Sequence, residues 1–166
     1  MVRRTWSPRG QTPALRHRAS NLKKVSAIAA LCVSPDRREL RLYFQLRVDA
    51  NFDSAAVRGF LQQLARHFRN PLLLVWDRAK IHRSLQTQVF LDVLDWQQFY
   101  FPPYAPELNP VEYVWSYLKT KPLANLACPD VDLLAAPGRR HVRSLQYKPG
   151  LLRSFIRHSP LSLRLC

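Results

Sequence analysis

Two carboxylates stand where a carboxylate can meet a ligand. Asp77 closes the apolar run of LLLVWDRAKIHRS, and Glu112 opens a helical pattern in YAPELNPVEYVWSYLK, with thirty-four residues between them. Carboxylates are the oxygen donors that hard divalent cations take. A side chain leaving the C-terminal end of a parallel strand also sits where open α/β sheets bind ligands. Each residue has a plainer reading. Asp77 serves equally as a helix cap or a solvated loop residue, and Glu112 follows Asn109 at the spacing of a capping box. Cys32, Cys128 and Cys166 form no CxxC pair, so zinc-site spacing is missing. Their odd number and the lack of a secretory signal pattern fit a reducing cytoplasm. No apolar run approaches the roughly 20 residues of a membrane span.

The elements that must position these groups follow from the periodicity. Residues 25–34 form an apolar run of strand length, Ser34-Pro35-Asp36-Arg37 is a turn signal, and Leu40, Leu42, Phe44, Leu46 and Val48 alternate with more polar neighbours. This predicts an antiparallel hairpin, Val25–Ser34 with Leu40–Val48. Asp53 or Ser54 can cap a helix whose apolar face is Val57, Phe60, Leu61, Leu64 and Phe68, stopped by Asn70-Pro71. Leu72–Trp76 reads as a buried strand, Ser84 caps a helix to about Leu94, and residues 98–101 form a strand parallel to 72–76. Asn109-Pro110 opens a third helix with Val111, Val114, Trp115 and Leu118 as its buried stripe. The order predicts a mixed α/β sheet with parallel crossovers. Beyond Lys121 the pattern weakens to two short helices, 132–136 and 151–157, interrupted by Pro137-Gly138 and Pro149-Gly150. RRTWS near the start is a candidate short strand.

Charge divides the chain further. Its 166 residues hold 26 Lys and Arg against 11 Asp and Glu, a net +15. Residues 1–24 and 138–166 each carry seven basic residues and no acid, whereas the middle carries a net +1. This imbalance points to a polyanion, above all nucleic acid, with phosphate contacts flanking a nearly neutral body. The candidate contacts are Arg3, Arg4, Arg9, Arg16, Arg18, Lys23, Lys24, Lys119, Lys121, Arg139, Arg140 and Arg143. The chain divides into a basic segment 1–24, a core 25–121 and a basic helical extension 122–166.

The two motif strings together resemble the DDE transposases of the mariner-like, bacterial insertion-sequence type, within the ribonuclease H-like and retroviral-integrase superfamily. Asp77, Ala79 and His82 stand as in the family's D-x-A-x-x-H stretch. Pro103, Tyr104, Pro106, Leu108, Asn109, Pro110, Glu112, Trp115, Leu118 and Lys119 stand as in its long second motif. RTWSPRGQTP and LLRSFIRHSPL extend the match over nearly the whole chain, the second motif being the most specific part. The resemblance implies a ribonuclease H-like α/β catalytic core that cuts DNA and joins its 3′ end to a target. It implies Asp77 and Glu112 as catalytic metal ligands and His82 as a neighbour of the site, or a residue that orients the loop after Asp77. It also implies two Mg²⁺ or Mn²⁺ ions, since in-line displacement at phosphorus is served by paired divalent cations, and double-stranded DNA as partner, with a homodimer compatible.

One part of the family pattern is missing. The resemblance places a first aspartate on a central strand just before RTWSPRGQTP, but no acid precedes Asp36. It therefore implies a truncated gene copy, or the second half of a protein split by a frameshift, inactive alone and completed by an upstream-encoded fragment. The family's helix-turn-helix region is likewise not in the sequence. A bacterial, cytoplasmic, nucleoid-associated protein is the corresponding expectation. Two other readings stay open: a non-enzymatic DNA-binding remnant, and another ribonuclease H-like nuclease, against which the second motif argues.

Overall fold

The computed structural model describes residue 9, residues 24–121 and 131–161, and residues 163 and 165. The candidate strand at RRTWS lies outside them. The hairpin forms as its alternation requires. Strand β1 (Val25–Val33) pairs antiparallel with β2 (Leu40–Val48), Val33 opposite Leu40 and Val25 opposite Val48. Its turn is closed by Asp36, which accepts from the Ser34 hydroxyl and, at 3.2 Å, from the N–H of Arg38. These two bonds, the first above all, hold the Asp36 carboxyl below the usual carboxylate range.

Helix α1 (Ser54–Ala65) starts at Asp53, whose carboxylate accepts from Ala56 N–H at 2.8 Å, and buries Val57, Phe60, Leu61 and Leu64. It ends five residues before Asn70, so Phe68 reaches the core from a turn rather than from the helix. Strand β3 (Leu73–Trp76) is followed by α2 (Leu85–Val93), capped by Ser84, and by β4 (Gln97–Tyr100). The two strands run parallel, with Val75 opposite Phe99. The second strand thus lies one residue earlier than the pattern of 98–101 indicates. A 3₁₀ turn (Pro106–Leu108) leads into α3 (Pro110–Thr120), which buries Val114 and Leu118.

Among the described residues the strands form two ladders, β1–β2 and β3–β4, without hydrogen bonds between them. The continuous sheet expected from the sequence is therefore not closed by these four strands. Packing joins what the ladders leave apart. One face of β1, with Ile28, Ala30 and Cys32, lies against a cluster of Val57, Leu61, Leu64, Trp76, Leu91 and Trp96. The other face, with Ala29, Leu31 and Val33, lies against a second cluster built on α3 and the C-terminal helices. Burial pushes the Cys32 thiol up to about 12, because low polarity disfavours the thiolate.

The C-terminal segment departs from its sequence pattern. Helix α4 (Val131–Gln146) runs through Pro137 and Gly138, and α5 (Pro149–His158) begins at Pro149. Pro137 lacks the N–H for one intrahelical bond, a loss of about 3 kcal/mol in a helix interior. The offset lies in packing: Val142 and Leu145 are buried, and Gly138 faces Leu46 of β2. Pro149 opens its helix, since a first-turn residue needs no N–H. Leu152, Phe155 and Ile156 of α5 join Val142, Leu145, Leu40, Leu42, Val114 and Leu118 in one core. The division at residue 122 therefore separates no second core.

Candidate active site

Asp77 leaves the C-terminal end of β3, as the apolar run requires. Its Oδ1 accepts from the backbone N–H of Ala79 at 2.9 Å and meets His82 Nδ1 at 2.7 Å. The side chain of Asp77 is 60% exposed and that of His82 only 15%. The His82 ring is stacked on Trp76, with 4.3 Å between centroids and 8° between planes. The loop between Asp77 and α2 is tied down at several points. Thr87, wholly buried, donates to the Ile81 carbonyl at 2.8 Å, and Gln88 donates to the His82 carbonyl at 2.9 Å. Gln88 in turn bonds Tyr100 and Gln98 of β4. Asp77 therefore projects from an ordered loop, and it caps no helix: Ser84 does that for α2.

Glu112 stands in the first turn of α3, beyond the Pro102-Pro103 break that follows β4. Its capping-box reading fails on geometry. A capping box needs the Glu carboxylate to receive the Asn109 N–H. That N–H donates instead to the Pro106 carbonyl at 3.0 Å, while the Asn109 side chain accepts from Val111 N–H at 3.1 Å. The Glu112 carboxylate is exposed and has no hydrogen bond or ion pair among the described residues.

Asp77 and Glu112 both line one cleft of about 510 Å³, with Arg78, Ala79, Arg83, Phe101, Pro102, Pro103, Tyr104, Ala105, Pro106 and Asn109. Tyr104 is fully exposed at its rim and holds a left-handed backbone, φ 58°, a conformation uncommon for a non-glycine residue. The residues lining the cleft thus include two acidic residues and two arginines, Arg78 donating from its Nε to the Phe101 carbonyl at 3.3 Å, a composition suited to a phosphate ester and a divalent cation. Among the described residues no set of three or more His, Cys, Asp or Glu side chains is gathered as a metal site. Asp36 serves the hairpin turn, Asp53 caps α1, and Asp49 follows β2; none lines the cleft.

The sequence motifs do not point to Arg78 and Arg83, although both belong to the loop that carries Asp77 and His82. For Arg78, its adjacency to Asp77 is the signal that could have found it. Of the candidate phosphate contacts, Arg3, Arg4, Arg16, Arg18 and Lys23 lie outside the described residues. Arg9, Lys24, Lys119, Lys121, Arg139, Arg140 and Arg143 are exposed, and none lines the cleft. No helix among the described residues is long and apolar enough to cross a membrane.

A family model described as DDE superfamily endonuclease matches residues 1–135. The crystal structure of the Mos1 mariner paired end complex with Mn superposes with a TM-score of 0.67 at 14% identity, over 96% of this chain and 48% of that chain. The Mos1 strand transfer complex gives 0.59 at 15% identity, over 99% and 52%. The Mos1 transposase catalytic domain with raltegravir and Mg gives 0.54 at 12% identity, over 84% and 85%. The chain thus spans about half the length of the first of these. At such identities the likeness is one of fold, the ribonuclease H-like α/β architecture expected from the sequence. No curated protein matches the chain.

Proposed function

This chain belongs to the DDE superfamily of endonucleases, and we propose that it is the larger part of the catalytic domain of a mariner-like transposase. The observation that carries the proposal is the cleft itself. Asp77 and Glu112, from a strand end and a helix start, line it together with Arg78 and Arg83. The structural neighbours include a mariner paired end complex with Mn and a transposase catalytic domain with Mg, which supports DNA and a divalent cation as partners.

In this reading Asp77 and Glu112 hold Mg²⁺ or Mn²⁺, and His82 stands beside the site. The bound ions supply Lewis acidity for attack and departure at phosphorus. Arg78 and Arg83 hold the phosphate, and the exposed cations of α3 and α4 meet the flanking duplex. A DDE site implies a third carboxylate beyond Asp77 and Glu112, the two acidic residues that line the cleft among the described residues. A segment outside these 166 residues would supply it. Among the described strands β1 and β3 each pair along one edge, which is compatible with such a segment arriving as a strand. A dimer is compatible with this scheme.

The test is nicking of duplex DNA by the chain mixed with an upstream segment carrying a strand and an aspartate. Metal-dependent nicking that is lost in Asp77→Asn and in Glu112→Gln supports the enzyme. Salt-sensitive DNA binding without nicking in that mixture would favour the DNA-binding remnant instead.

A further inference from the structure

We infer that His82 is a positioning residue that holds Asp77 through its Nδ1, reserving the Oδ2 atom of that carboxylate for a metal ion. The inference rests on the reading of Asp77 and Glu112 as metal ligands and says how one of them is prepared.

The two oxygens of Asp77 are not alike. Oδ1 receives the Ala79 N–H at 2.9 Å and the His82 ring at 2.7 Å. Among the described residues no donor reaches Oδ2. A carboxylate only accepts, so the proton in the His82 contact belongs to Nδ1. With Oδ1 doubly engaged, the carboxylate plane is fixed and one oxygen is left for a cation. Outer partners of this kind orient metal ligands, and their loss typically costs 10–100-fold in metal affinity.

His82 is itself held at three points, its ring by one and its backbone by two. Its face lies on Trp76, which is 8% exposed. Its backbone N–H donates to Ala79 at 3.0 Å, and its carbonyl accepts from Gln88 at 2.9 Å. Gln88 is anchored to Tyr100 of β4 at 3.0 Å, so the ring is referenced to both parallel strands. A residue needed only to fill space over Trp76 would require no nitrogen. The nitrogen is used, and it is used at the δ position.

Position-specific substitutions separate these roles. The Asn amide nitrogen occupies the place of Nδ1, whereas the Gln amide nitrogen reaches that of Nε2; Phe keeps the stack and has neither. Mn²⁺ binding to the full chain is measured by electron paramagnetic resonance in wild type, His82→Asn, His82→Gln and His82→Phe, alone and with Asp77→Asn. We expect His82→Phe to weaken Mn²⁺ by about tenfold or more, His82→Asn to recover most of that loss, and His82→Gln to recover little. In the Asp77→Asn background the three substitutions should differ little. Recovery by Gln and not Asn would overturn the inference, because the ring would then act through Nε2. So would unchanged Mn²⁺ affinity in His82→Phe while Asp77→Asn abolishes binding, a result that leaves the metal site itself standing. Binding indifferent to both Asp77→Asn and Glu112→Gln would instead remove the site. If His82→Phe does not fold, the ¹H–¹⁵N ring spectrum of His82 decides. A proton on Nδ1 that shifts in Asp77→Asn supports the inference, and a proton confined to Nε2 overturns it.

Discussion

Asn109 and Glu112 share one helix start but serve different ends. Asn109 caps α3 with its side chain, gives its own N–H to Pro106, and leaves Glu112, a lining residue of the cleft, outside the cap. The string that suggests a capping box therefore contains a cap and a separate carboxylate that the cap does not use. Pro106 makes the difference, because the 3₁₀ turn ahead of α3 brings a carbonyl to the donor that Glu112 would otherwise take.

That division predicts unequal stability effects. Asn109→Ala should destabilise the fold by about 1 kcal/mol, the usual cost of a lost N-cap. Glu112→Gln removes a charge from the helix N-terminus, an exposed contribution of roughly 0.3–1 kcal/mol that salt screens. At moderate ionic strength it should cost less than about 0.5 kcal/mol. Urea unfolding of both variants checks this. Equal costs would mean that the Glu112 carboxylate is engaged in the fold after all.

The contrast also marks how far sequence reading reaches. The hairpin, both parallel strands and three helices were legible because alternation, apolar runs and caps all agree there. Asp77 and Glu112 were legible as candidates because the strings that carry them match one family's pattern, the long string around Glu112 being the more specific. The course of α4 was not, because Pro137-Gly138 is a local stop signal, and only packing of Val142, Leu145 and Gly138 against β2 overrides it. The state of Glu112 was not legible either, since spacing cannot tell which acceptor a backbone N–H will choose.

DNA binding should fall steeply with salt, each neutralised phosphate adding about −0.9 to the log–log slope. Deleting residues 138–166 is the wrong probe, because Val142, Leu145, Leu152 and Phe155 belong to the core. Replacing Arg139, Arg140 and Arg143 together by Ala leaves those residues in place. If all three meet phosphates, the slope should flatten by roughly 2.7, at about 0.9 per contact. An unchanged slope in a filter-binding series would remove this face of α4 from the DNA interface.

Cys32 gives a pH-dependent signature of the interior. Its thiol is pushed up to about 12 by burial, whereas an unfolded thiol ionises near 8.5. The folded value is raised, so this group's contribution to stability is full below about pH 8.5 and declines as pH rises toward 12. In a Cys128→Ser, Cys166→Ser background, iodoacetamide at pH 8.5 should leave Cys32 largely unmodified in buffer and modify it rapidly in denaturing urea. Rapid modification in buffer would show that β1 opens to solvent between its two clusters.

The isolated chain should neither nick nor join DNA with Mg²⁺ or Mn²⁺. Two carboxylates line the cleft where two-metal chemistry needs a fuller oxygen shell. Among the described residues the β1–β2 and β3–β4 ladders are not joined to each other. A misplacement of about 1 Å can cost 10²-fold in rate, so the site's rate should depend on how firmly the two ladders are held together. An upstream segment that enters as a strand with an aspartate would join the ladders and complete the donor set in one step. In the reconstituted mixture EDTA should abolish nicking. Asp77→Asn and Glu112→Gln should each do the same, because an amide keeps the shape but not the charge that holds the cation. The Arg78→Ala and Arg83→Ala variants should retain metal dependence and lose rate through weaker phosphate binding. Cleavage by the isolated chain from a nuclease-deficient host, undiminished by either carboxylate substitution, would place the active site elsewhere in the molecule.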